Sequence, residues 1–122
     1  MNPTPLPLNR AILISSLERT VKEVQVSCLH DLYRLIGCDM VECPTATIGG
    51  VEQDLWCDEE GLMKSPQHFV KVMGFHQPIA GSIVIMGTDK NGIMEDAKVT
   101  VEQVKAEVEF LTRAQSRHLY GV

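Results

Sequence analysis

The segment Lys64-Ser65-Pro66-Gln67-His68 gathers residue types that bind anions. A serine followed by a proline marks a helix start: the hydroxyl caps the first N–H groups, and proline suits the first helical position. Free N–H groups and the positive end of the helix dipole attract negative charge there. Lys64 and His68 flank this start and add donors. The pattern predicts that Lys64, Ser65 and His68 hold a small anionic, nucleotide-like ligand. His76 and Gln77, on the loop after the same helix, extend the candidate set.

Other chemistries are less well supported by spacing. The four cysteines (Cys28, Cys38, Cys43, Cys57) and four histidines (His30, His68, His76, His118) lack the tight Cys-x-x-Cys or His-x-x-x-His pairs of zinc sites. No metal or cofactor is implied, and the cysteines read as small buried hydrophobes. Cys28 lies near a helix start, where the dipole favours a thiolate. Cys28 with His30 is thus the nucleophilic pair of an alternative, hydrolase-type reading. The carboxylates Asp58-Glu59-Glu60 offer acid–base chemistry, but three adjacent acids before Gly61 read better as a solvated turn. Asp89-x-Asn91-Gly92 resembles a fragment of a calcium loop, with its glycine two places early and no glutamate at the twelfth position. It is set aside. Trp56 reads as core.

These residues must be positioned by the elements around them. Prolines at 3, 5 and 7 predict an extended arm over residues 1–9. Ala11–Ile14 and Thr20–Val26 predict two strands joined across Leu17–Arg19. Ser27 predicts a helix cap, Leu29–Ile36 an amphipathic helix, and Gly37 its end. Asp39–Cys43 suggests a strand stopped by Pro44, Thr45–Gly50 a loop, and Gln53–Asp58 another strand. A second helix is expected from Ser65-Pro66 to Gly74. Ile79–Met86 predicts the central strand and Asp89–Gly92 a turn. Thr100-x-x-Gln103 is a capping box that opens a last helix over 100–119, with Lys105/Glu109 and Glu109/Arg113 as ion pairs along it.

The order β-β-α-β-β-α-β-α predicts one α+β domain over residues 10–122, with a small mixed or antiparallel sheet and about three helices. A chain of 122 residues has room for one core and not for two ordinary domains. A net charge of −5 disfavours nucleic acid and anionic membrane surfaces as partners. No apolar run approaches the roughly 18 residues of a membrane span. Without a basic, apolar leader the chain is expected in a reducing cytoplasm, with its thiols free.

Asp58-Glu59-Glu60-Gly61-Leu62, Ser65-Pro66 and the stretch Pro78–Gly92 resemble a family described only as domain of unknown function 3846. The helix–glycine–strand segment Leu29–Cys43 is similar too. The resemblance spans roughly residues 12–110. It implies an accessory protein of phages, plasmids and the bacteria that carry them, with no established activity or cofactor. This family tends to carry an asparagine near the start of the second helix, where this chain has Ser65-Pro66-Gln67. The resulting expectation is a non-enzymatic protein that binds a host protein or sequesters a small anionic ligand. A structural module that self-associates through the helix 100–119 is the third reading.

Overall fold

Aliphatic runs between turn residues supply the framework, which the computed structural model describes over residues 8–64 and 67–122. The first two strands form as expected: β1 (Asn9–Ser15) and β2 (Thr20–Val26) pair antiparallel, Ile14 opposite Val21. The expected arm lies outside the described residues as far as Pro7. Leu8 is exposed and Asn9 already belongs to β1.

Helix α1 (Leu29–Ile36) follows, and Gly37 ends it with φ of 77°. Its cap differs from expectation. Cys28 takes the cap position without a side-chain hydrogen bond, and Asp31 reaches back instead. The Asp31 carboxylate accepts from the Ser27 N–H and from the Ser27 hydroxyl, each at 2.9 Å. An acid in the first turn also complements the helix dipole.

The segment expected as a loop, Thr45–Gly50, is half of a hairpin. β3 (Val41–Glu42) and β4 (Thr45–Ile48) both pair antiparallel with β5 (Val51–Asp58). Pro44 separates β3 from β4 because it has no N–H for the ladder, yet its carbonyl accepts the Leu55 N–H at 2.8 Å. The alternation Thr-Ala-Thr-Ile buries Ala46 and Ile48 and leaves the threonines outside.

Two expected helices are corrected. The segment assigned to the second helix is β6 (His68–Val72), while Ser65 and Pro66 lie outside the described residues. Phe69, Val70 and Val72 fit helical spacing, but they are aromatic or β-branched and are buried on both faces of a strand. The long last helix is three elements: α2 (Val101–Lys105), β10 (Val108–Thr112) and α3 (Arg113–Tyr120). Val108, Phe110 and Leu111 pair with β6, so Glu109 sits opposite Lys71 on a strand and the helical ion pairs do not form. A surface made of one helix over 100–119 is therefore absent. Both the expected box at Thr100/Gln103 and a second at Thr112/Gln115 cap the helices that remain.

The central apolar run also divides. Gly81, with φ of 92°, turns the chain from β7 (Ile79–Ala80) into β8 (Ile83–Thr88). β8 is central in the large sheet, whose order is β2-β1-β8-β5-β3 with β4 beside β5 and β9 (Met94–Glu95) beside β8. β7 belongs to a small sheet of order β10-β6-β7. Every described pairing is antiparallel. The described residues are α+β with three α-helices, and their strands are more numerous than expected.

Strand periodicity separates the cores. Ala11, Leu13, Val84 and Met86 meet Leu32 and Ile36 of α1 on one face of the large sheet. Ile12, Ile14, Leu55, Ile83 and Ile85 meet Val70, Val72 and Ile79 of the small sheet on the other. Each such buried Val, Leu, Ile or Met side chain stabilises the fold by roughly 1.5–3 kcal/mol relative to exposure. α3 lies against β10 and β6. No described helix is long and apolar enough to cross a membrane.

Candidate ligand-binding site

The passage from the small sheet to the large one leaves a gap at the end of α1. Gly81 and Ser82 form the corner, fixed by the Gly81 N–H bound to the His68 carbonyl at 2.9 Å and by the Ser16 hydroxyl bound to the Gly81 carbonyl. Leu17 and Ile36 supply an apolar wall from the β1–β2 turn and the last turn of α1. Lys64, Gln67 and His68 reach in from the chain leading into β6. The space enclosed is about 240 Å³. It is small, open to solvent on one side, and lined by both apolar and donor groups, as small-molecule sites are.

Its charge is closer to balance than the donors suggest. The Lys64 ammonium lies 2.6 Å from the Asp58 carboxylate, which also lines the cavity. That hydrogen bond is the main cause of a Lys64 pKa above the ordinary lysine value. Asp58 also accepts the Glu60 N–H at 2.9 Å. The expected solvated acidic turn therefore holds for Glu59, which is exposed, and not for Asp58, whose side chain is only 8% exposed.

Of the residues singled out in the sequence, Lys64 and His68 meet at this cavity, although a strand and not a helix carries His68. The helix dipole expected to assist them is missing. Ser65 lies outside the described residues. His76 is exposed beside Phe75, ring centres 4.4 Å apart, and does not line the cavity. Gln77 lines a neighbouring space of about 80 Å³ that shares Asp58 with the first. Gln67 and Ser82 join the lining without having been singled out. Gln67 sits inside the segment that drew notice, whereas nothing local marks Ser82, because the β7–β8 corner that brings it near Gln67 depends on sheet pairing.

No described cysteine lines the Lys64 cavity. Burial pushes the thiols of Cys43 and Cys57 up to about 12, and raises that of Cys38. Among the described residues no hydrogen bond joins Cys28 to His30, and His30 is exposed. Among the described residues no three metal-ligating side chains cluster. Trp56 packs into the cluster under α1.

Two antiparallel sheets, a helix on the outer face of the larger one and a small amphipathic cavity at their junction define a compact α+β domain with a ligand-sized cleft. The family model described as Domain of unknown function (DUF3846) matches residues 8–112, and the chain belongs to that family. No curated protein and no solved structure matches it.

Proposed function

We propose that this chain is a non-enzymatic binding protein of a phage or other mobile element that sequesters a small anionic, nucleotide-like ligand in the cytoplasm of a bacterial host. The observation that carries the reading is the meeting of Lys64, Gln67, His68 and Ser82 on one cavity with an apolar wall of Leu17, Ile36 and Ala80. Such a lining suits a ligand with one flat or apolar part and several hydrogen-bonding groups. The concave site favours a small molecule over a host protein as the partner.

Calorimetric titration with a panel of nucleotides, beside native mass spectrometry of protein purified from bacterial cells, tests this. A ligand retained unchanged at one per chain is the expected result. Lys64→Ala with His68→Ala should weaken it about five-fold or more, the loss of roughly 1 kcal/mol or more of hydrogen bonding. Unaltered affinity in that variant, or conversion of the ligand to product, would overturn the reading.

A further inference from the structure

A second pocket of about 230 Å³ adjoins the first, and Gln67 lines both. Its lining is Leu62, Gln67, Phe69, Arg113, Arg117 and Val122. We propose that Arg113 and Arg117 hold the phosphoryl group of the ligand, whose remaining part lies across Gln67 in the Lys64 cavity. The inference rests on the small-ligand reading above and deepens it.

Charge separates the two pockets. The Lys64 cavity contains Asp58, so its one lysine is already paired. Among the described residues no Asp or Glu side chain lines the second pocket; Val122, which does, turns its main-chain oxygen to the Ser116 hydroxyl and forms no ion pair with either arginine. Arg113 and Arg117 stand one turn apart on α3, so both guanidinium groups emerge on the same helical face. Neither forms a side-chain hydrogen bond or an ion pair among the described residues. Two unpaired guanidinium groups are strong donors for the oxygens of a phosphoryl group, which a planar fork binds in bidentate fashion. Phe69, 1% exposed, forms an apolar floor that limits screening by water.

The pair is also held in place. The Thr112/Gln115 box fixes the start of α3, and the Ser116 hydroxyl donates to the Val122 carbonyl at 2.7 Å. Gln67 is tied back to the Leu62 carbonyl, which sets the wall between the pockets. The family match ends at Thr112, so α3 and its arginines lie beyond it.

The experiment compares three probes on the full chain: inorganic pyrophosphate, a nucleoside 5′-diphosphate and the same nucleoside without phosphate. Amide resonances are followed by NMR, and affinities by calorimetry. The wild type should prefer the diphosphate over the nucleoside by at least ten-fold. Pyrophosphate alone should shift amides around Gln67 and residues 113–117. Arg113→Gln with Arg117→Gln should reduce the preference to near unity, whereas Lys64→Ala with His68→Ala should weaken both nucleoside probes and keep it. Both arginines are exposed, so thermal melting should show the double variant folded. If pyrophosphate leaves those amides unmoved, or the preference survives in the arginine variant, the inference falls. If pyrophosphate binds there but neither nucleoside probe binds, the arginine pocket stands and the nucleotide-like ligand is refuted.

Discussion

The ammonium of Lys64 rests 2.6 Å from the carboxylate of Asp58, six residues earlier in the chain, and this pair decides how the cavity presents charge. Lysine alone would make the cleft an anion trap. Paired, it offers its remaining N–H groups with little net charge behind them.

Removing the carboxylate should therefore improve anion binding. Asp58→Asn keeps the shape and leaves the lysine charge unopposed. With its lysine half exposed, the pair contributes about 0.2–1 kcal/mol, so anion affinity should rise by up to about five-fold. The effect should fade as pH rises past the ordinary lysine pKa of 10.5, because the variant lacks the carboxylate that raises the wild-type value and its ammonium is lost. Titration of both proteins at neutral and alkaline pH checks this, and a lower affinity in the variant would contradict it.

Asp31 gives the fold an acid-sensitive contact. Its pKa is lowered from 3.8, chiefly by the Ser27 N–H and then by the Ser27 hydroxyl. A lowered value means the stabilisation is complete above the unfolded pKa and is lost as pH falls through the folded one. Asp31→Asn should thus melt below the wild type at neutral pH. The gap should close once pH drops below 3.8. Melting curves across that window provide the measurement, and a gap unchanged by acid would rule the contact out.

Gly74 is required by a close approach. A Cβ there would lie 2.2 Å from the Thr47 carbonyl oxygen, a backbone atom that cannot swing aside. The expected role of this glycine, ending a helix, gives way to letting the turn after β6 touch β4. Gly74→Ala should cost about 1–3 kcal/mol through forced backbone shifts. Denaturant unfolding measures it, and wild-type stability in the variant would refute the contact.

Thiol reactivity follows from burial. With pKa values of about 12, Cys43 and Cys57 have almost no thiolate at pH near 8. Both should stay unmodified in the native protein during brief iodoacetamide treatment and react fully in denaturant. Mass mapping of the labelled peptides tells the two apart. Native labelling of Cys57 would mean that β5 is far more open than described.

Local signals were sufficient for several elements whose partners lie close in the chain, though not for the β4–β5 hairpin. The β1–β2 hairpin, α1 with its glycine end and the Asp89–Gly92 turn all follow from short-range rules. The family, too, was legible from the glycines and the central strand. Lys64 and His68 were recognised as donors, though the reason offered, a helix start between them, was mistaken for the part described.

What the sequence determined by itself is the composition of each apolar run, and hence which residues must leave water. What only the tertiary structure decided is the form those runs take and the side chains they bring together. Phe69–Val72 and Val108–Leu111 satisfy helical and strand spacing alike; they are strands because each supplies the other's ladder, Val70 opposite Phe110. Ser82 meets Lys64, and Arg113 and Arg117 meet Gln67, for the same reason: pairing between segments distant in the chain lies outside the reach of any local preference.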